Sequence, residues 1–504
     1  MSVATPIYEF ITNHRKKDPV SFHMPGHKGS RIYRRFGYHE FLDHVMDYDI
    51  TEIAGADNLF QTEGIIKSVQ DHYARLYGCK KSYILINGSS GGNIAAILAS
   101  VRKGKKLIMA RNCHKSVFNA LTLGGIRPVY AYPETIEEFG ISGAVSPDEI
   151  ERLIRENPDA DAVLITSPNY YGVCSDVRAI AETAHRYGKV LIVDEAHGAH
   201  LHFSDELPLS AIQSGADLVI NSTHKTLASF TQSAVLHYNT ELVDQYLLED
   251  KLQCIQSTSP SYILMTSMDI NADILEKHGG VLMKAWTENL TAFYERIAKI
   301  PGVRTMGKMA GLDWTKINLS LGELGINGAQ LDKILLDDYN IYIELFTGGW
   351  IMAMSGIGNT KDDYDRLADA LEDISGKVRE CGPEVFGIGT KGCTERKDDI
   401  DSKDGMDREA ETKYGASSGH MAGLPAPPRQ AELFDIPSVK KRVRLEDSEG
   451  MICAASIIPY PPGIPLLCPG ERIEADAIAY IRALRDMGEK VIGVNEAGEI
   501  LVGE

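Results

Sequence analysis

Residues 190–225 read VLIVDEAHGAHLHFSDELPLSAIQSGADLVINSTHK. Two short apolar runs, VLIVDEA (190–196) and DLVIN (217–221), each lead into polar residues with chemistry to offer. Runs this short and apolar throughout read as strands buried on both faces, as in a parallel sheet covered by helices. The pattern repeats upstream. YILIN (83–87), LIMA (107–110) and AVLIT (162–166) read as strands, with helices over NIAAILASV (93–101) and Val177–Tyr187. Ile65, Ile66, Val69, Tyr73, Leu76 and Tyr77 recur at helical spacing before a stop at Gly78. Ser146-Pro147-Asp148-Glu149 has the form of a capping box, Ser146 capping and Glu149 reciprocating. Strands alternating with helices predict an α/β fold with a mostly parallel sheet.

Ligands of such sheets bind beyond the carboxyl ends of the strands. That rule puts four segments on one rim: NGSSGGN (87–93), the stretch around His114, DEAHGAH (194–200) and STHK (222–225). The glycines and hydroxyls of NGSSGGN, at a helix start, make a phosphate cradle; an ordinary glycine-rich turn is the alternative. No GK[ST] follows, so this is not a Walker A loop. Asp194 ends its strand, where a carboxylate can hold a proton on a pyridine nitrogen. Lys225 follows the next strand, where an amine of lowered pKa can attack a carbonyl carbon. His114-Lys115 is a second His-Lys pair, but Ser222, Thr223 and His224 give Lys225 more phosphate donors. His114 can stack on an aromatic ring, or serve the fold alone. Asp194, His197, His200 and His202 invite a zinc reading, but their spacing matches no zinc signature and no metal is expected.

The chain has 504 residues, more than one ordinary domain, with 43% hydrophobic and 24% charged residues. We divide it into an N-terminal segment (1–60), a large domain (61–278), a smaller α/β domain (279–387), a polar Gly/Ser/Pro-rich linker or loop (388–430) and a C-terminal domain (431–504). Fifty-two basic and 70 acidic residues give a net charge of −18, which argues against nucleic acid and, more weakly, against anionic membranes. Eight dispersed cysteines without a CxxC pair point to a reducing cytoplasm, and no segment has the length of a membrane span.

In order and spacing, HMPGHKG (23–29), DITEIAGADNLF (49–60), NGSSGGN, NCHKSVFNAL (112–121), SPNYYGV (167–173), VDEAHGAH (193–200), STHKTL (222–227) and YPPGIPLLCPGE (460–471) resemble the Orn/Lys/Arg decarboxylase family. The resemblance covers nearly the whole chain outside 388–430 and is to the short form without an N-terminal wing domain. It implies the fold type I architecture of pyridoxal 5'-phosphate enzymes, with the large domain binding the cofactor. The activity implied is decarboxylation of a basic amino acid, arginine before lysine or ornithine (EC 4.1.1), within polyamine metabolism.

The same resemblance implies residue roles. Lys225 is the Schiff-base lysine, Asp194 the partner of the ring nitrogen, and His114 the residue stacked on the ring, with Ala196 on its other face. Ser89, Ser90, Gly91, Ser222 and His224 form the phosphate shell, and His197 is a further cofactor contact. His27 and Lys28 approach an active site shared between subunits of a homodimer or larger assembly. Asp49, Glu52, Asp57, Glu344 and Glu471 are the candidate acids for the substrate's distal cation, unranked from sequence. Three other readings stay open: a pyridoxal phosphate aminotransferase or lyase, a metal hydrolase built on DEAHGAHLH, and a silent homologue. An aminotransferase calls for an arginine clamp, and no matching C-terminal arginine motif is found. The intact Asp194, Lys225 and Ser/Gly set argues against silence.

Overall fold

The computed structural model describes residues 5–387, 435–459, 463–486 and 488–504. The linker expected at 388–430 and Tyr460–Pro462 of the last motif lie outside the described residues.

Seven strands form the central sheet: β1 (Lys81–Leu85), β2 (Lys106–Ala110), β3 (Arg127–Ala131), β4 (Ala160–Thr166), β5 (Val190–Asp194), β6 (Leu218–Asn221) and β7 (Ala234–Tyr238), in the order β1-β7-β6-β5-β4-β2-β3. All run parallel except β7, which is antiparallel to both of its neighbours. Alternate residues of each apolar run enter opposite cores. Leu107, Met109, Leu164, Ile192 and Leu218 join one cluster, and Ile108, Val163, Ile165, Leu191, Val193 and Val219 the other. Burial on both faces explains why these strands are apolar throughout instead of alternating.

The helices over the faces are α1 (Ile65–Tyr77), α2 (Gly88–Ser100), α3 (Lys115–Gly124), α4 (Pro147–Glu156) and α5 (Val177–Arg186). The stop after α1 is as read: Gly78 sits at φ 66°, a conformation open to glycine. Helix α2 starts at Gly88, five residues before the apolar pattern, so the glycine-rich segment is its first turn. The capping box is half formed. Ser146 Oγ accepts from the Glu149 N–H at 3.1 Å, but the Glu149 carboxylate takes Arg152 instead, at 2.8 and 2.9 Å. A bidentate guanidinium outcompetes a single N–H. Ser146→Ala should cost about 1 kcal/mol of stability, read from the urea midpoint at unchanged slope.

A single 36-residue helix, α6 (Tyr262–Ile297), runs through the position 278/279 where the large domain was expected to end. Beyond it stands a four-stranded antiparallel sheet of β8 (Arg304–Thr305), β9 (Lys316–Ser320), β10 (Leu345–Thr347) and β11 (Trp350–Met354). The N-terminal segment joins this part of the chain: Val20–Phe22 pairs in parallel with Ile341–Ile343. In the C-terminal part, Lys440–Arg444 pairs with Glu499–Gly503, and a helix over Ala475–Asp486 covers a small core that includes Ile473, Ile481 and Leu484.

Candidate active site

The four rim segments meet. Asp194, the last residue of β5, is 3% exposed. Its Oδ2 accepts from Asn93 Nδ2 at 2.7 Å and its Oδ1 from the Ala196 N–H at 3.1 Å. Both donors are neutral, and burial pushes the carboxyl above its usual range against the pull of Lys225. Lys225 lies in the short helical turn Thr223–Thr226 after β6, its Nζ 2.9 Å from His197 Nε2. Removal from water holds its amine below the ordinary lysine range, while Asp194 and then Glu344 oppose that shift. Asp194 and Lys225 therefore act on each other from the ends of adjacent parallel strands.

Ser89, Ser90 and Gly91 occupy the first turn of α2, and Ser222 Oγ donates to Ser89 Oγ at 2.9 Å. The Asn87 side chain does not cap this helix; it donates to the Ile255 carbonyl at 3.0 Å. The turn's N–H groups are thus left for an anion. His114 caps α3, its Nδ1 accepting from the Ser116 N–H at 3.2 Å and lying 2.9 Å from Ser116 Oγ. Burial, then the charge of Lys225, lower its pKa to about 3, so the ring is neutral. His197 is held well below its usual value by burial and Lys225, and its ring lies 4.4 Å from that of Tyr170. His224 Nδ1 is taken by the Ser233 carbonyl at 2.8 Å, and burial lowers its pKa to about 4. The neutral ring therefore carries its proton on Nδ1, which leaves Nε2 an acceptor.

The HMPGHKG segment meets the chain's own lysine turn. The Gly26 N–H donates to the His224 carbonyl at 2.7 Å, and a Cβ on Gly26 would stand 2.4 Å from the Thr226 carbonyl carbon. Lys28 donates to the carbonyls of His23 and Met354, the latter at 3.1 Å. Burial draws its ammonium down to about 7, opposed by Glu344 and then Asp363.

The structure separates the candidate acids. Asp57 accepts N–H groups at the start of α1, among them Gly64 at 2.8 Å and Ile66 at 3.0 Å. Glu52 accepts from Asn58 and Leu59, at 2.7 and 3.1 Å. Asp49 is exposed. Glu471 is buried against Arg111 in the C-terminal part. Glu344 alone of the five acts on Lys225, and it accepts from the Met24 N–H at 2.9 Å and Tyr170 Oη at 3.0 Å.

The histidines of DEAHGAHLH diverge. His200 lies 3.2 Å from Asp313 and 3.1 Å from Thr226 Oγ1, and His202 lies 3.3 Å from Ser210. Among the described residues no group of three or more His, Cys, Asp and Glu is arranged for a metal ion.

Two important contacts escaped the sequence reading. Asn93, the last residue of NGSSGGN, donates to both Asp194 and Ser116 Oγ (3.1 Å), and so links the carboxylate to the residue that orients His114. Tyr170, in SPNYYGV, holds Glu344. The donor set fits pyridoxal phosphate: hydroxyls and a helix start for the phosphate, a buried carboxylate for the ring nitrogen, a neutral imidazole for the ring face, and an amine for the aldehyde carbon. Asn93 Oδ1 and His197 Nδ1 are buried there without a protein partner, in keeping with a polar guest.

Residues 5–310 match the family model described as Orn/Lys/Arg decarboxylase, major domain, and residues 421–497 the corresponding C-terminal domain. The chain is 32% identical to an arginine decarboxylase of Bacillus subtilis over 98% of its own length and 96% of that protein's. It is 23% identical to a lysine decarboxylase of Pseudomonas aeruginosa, over 93% of this chain and 74% of that one. A solved lysine decarboxylase A from Pseudomonas aeruginosa superposes with a TM-score of 0.72 at 21% identity, covering 99% of this chain and 80% of that one. No helix among the described residues is long and apolar enough to cross a membrane.

Proposed function

The chain belongs to the Orn/Lys/Arg decarboxylase family, and on that premise we propose that it is a pyridoxal phosphate-dependent lyase (EC 4.1.1) that decarboxylates a basic amino acid, arginine first, then lysine or ornithine. Arginine leads because relatives 32% identical over nearly the full length carry that name, whereas relatives named lysine decarboxylase are 22–23% identical. The observation that carries the reading is that the ends of two adjacent parallel strands bring Asp194 and Lys225 beside a hydroxyl-lined helix start, with Asn93 of that helix donating to Asp194 and Ser222 to Ser89.

When bound, pyridoxal phosphate supplies a conjugated ring that accepts the electron pair of the breaking Cα–carboxylate bond. The chain's own groups do the rest. Ser89, Ser90, Gly91 and Ser222 would hold the phosphate, with His224 behind them. Asp194 would keep a proton on the ring nitrogen, because a nearby negative charge favours the cationic form. His114 would lie on one ring face and Ala196 on the other. Lys225 Nζ would carry the aldehyde carbon and later return a proton to Cα, with His197 Nε2 fixing the direction of that amine. Glu344 would receive the guanidinium or ammonium at the far end of the substrate.

The test is to load the protein with pyridoxal phosphate, supply arginine, lysine and ornithine separately, and identify the products. Agmatine and CO₂ in equal amounts are expected from arginine. A keto acid without amine would favour the aminotransferase reading, and a protein that never acquires a visible cofactor band would end the proposal. Glu344→Gln should raise KM for the preferred substrate about 10- to 100-fold, the worth of one charge-assisted hydrogen bond, with a smaller fall in kcat. An unchanged KM would remove Glu344 from the substrate site.

The reading includes homo-oligomers and a polyamine-forming role in the cytoplasm. Exposed Ile7, Phe10 and Ile11 on the helix Pro6–Lys16 support self-association, which sedimentation velocity tests.

A further inference from the structure

We propose that Glu471 is a positioning residue: through Arg111 it makes the C-terminal part of the chain set the place of His114. The inference rests on His114 being the ring-stacking residue of the proposed function.

Arg111 directly follows β2 and opens the short loop that carries His114. All three hydrogen bonds of its guanidinium go to the C-terminal part. Nη1 donates to the Pro465 carbonyl at 2.6 Å, and Nη2 to the Leu466 carbonyl at 2.8 Å and to Glu471 Oε2 at 3.3 Å. The side chains of Arg111 and Glu471 are 9% and 0% exposed. Glu471 is itself fixed, with Oε2 accepting from the Cys468 N–H at 2.7 Å and Oε1 from Tyr130 Oη at 2.8 Å.

The guanidinium also lies over two rings, 5.3 Å from Phe118 and 5.2 Å from Tyr130. Phe118 belongs to α3, the helix His114 caps. On the other side of His114, the Lys115 N–H donates to the Gly463 carbonyl at 3.3 Å. The segment 463–471 therefore grips the chain just before and just after His114. A charge pair this deep is weak grounds for stability, because apolar residues of the same volume do as well. Its geometry instead converts docking of the C-terminal part into a fixed position for one imidazole.

The experiment compares Glu471→Gln, Arg111→Lys and Leu484→Ala with the wild-type full chain. Leu484 is 2% exposed in the C-terminal core that also holds Leu467, and its side chain makes no hydrogen bond, so its truncation loosens that core without removing a hydrogen bond of the latch. Two quantities are read: the Kd for pyridoxal phosphate from the visible band, and circular dichroism of that band at saturation, which reports how the ring is held. Glu471→Gln and Arg111→Lys are expected to raise Kd about tenfold and to diminish the dichroism per bound cofactor. Leu484→Ala should lower the melting temperature while leaving both near wild type. Wild-type values in Glu471→Gln would overturn the proposal. So would a Leu484→Ala variant that loses cofactor affinity and dichroism as much as Glu471→Gln does. In either case a wild type that forms amine leaves the proposed function standing. A wild type with no cofactor band would overturn both.

Discussion

Lys225→Ala should lower turnover by at least about four orders of magnitude, roughly 5.5 kcal/mol of barrier, and abolish the visible band of the loaded protein. The loss has two parts. The amine that would hold the aldehyde carbon is gone, and so is the acid that would reprotonate Cα. Neither Lys316 nor Lys28 is free to replace the amine. Lys316, whose charge acts on Lys225, is committed to Asp313 at 2.8 Å and to the His197 carbonyl at 3.0 Å. Lys28 is committed to the carbonyls of His23 and Met354. Lys225→Arg separates chemistry from charge. A guanidinium keeps the positive charge but stays protonated at any working pH, so it cannot attack a carbonyl carbon. Both variants should be equally silent in CO₂ release. An arginine variant with more than about a hundredth of wild-type turnover would show that Lys225 contributes mainly as a charge.

The parts of this site legible in the sequence are those fixed by strand ends. Asp194 ends one apolar run buried on both faces, and Lys225 lies in the polar turn that follows another, so the strand ends carry both to the rim. The direction of β7 had a local signal as well. Only Leu227–Ser233 separates the lysine turn from β7, too short for a crossover helix, so β7 had to turn back. What was not legible depends on elements far apart in sequence. Glu344 could not be ranked above Glu471, although one acts on Lys225 and the other is sealed against Arg111. The Met24 N–H that anchors Glu344 is 320 positions away, on a segment tied down by the pairing of Val20–Phe22 with Ile341–Ile343. Asn93 was hidden differently. An amide in a glycine-rich turn reads as a helix starter, and only the fold shows its Nδ2 reaching across to β5.

Asp194→Asn is expected to cost about a thousandfold in kcat with little change in KM. It keeps the shape of the side chain and removes the charge that would hold the ring nitrogen protonated, an interaction worth most as charge develops. The same residue carries a second signature, in the protein without cofactor. Burial raises the Asp194 carboxyl above its ordinary value near 3.8. A group raised on folding contributes stability that is fully present below its unfolded pKa and is lost as pH rises through its folded pKa. Above that folded pKa the apoprotein bears a buried charge whose hydrogen bonds both come from neutral donors. Any hydrogen bond that asparagine fails to make, for instance with its amide against the Ala196 N–H, is a penalty independent of pH. The difference in unfolding free energy between Asp194→Asn and wild-type apoprotein should thus move in favour of the variant as pH rises from about 4 through the raised folded pKa of Asp194. Saturating pyridoxal phosphate should reverse that trend, because a protonated ring nitrogen would give the carboxylate a charged hydrogen-bond donor, which Asn93 and Ala196 are not. Parallel pH curves for the two apoproteins would mean that Asp194 is not under electrostatic strain. Without that strain, a carboxylate awaiting a pyridinium loses its physical basis.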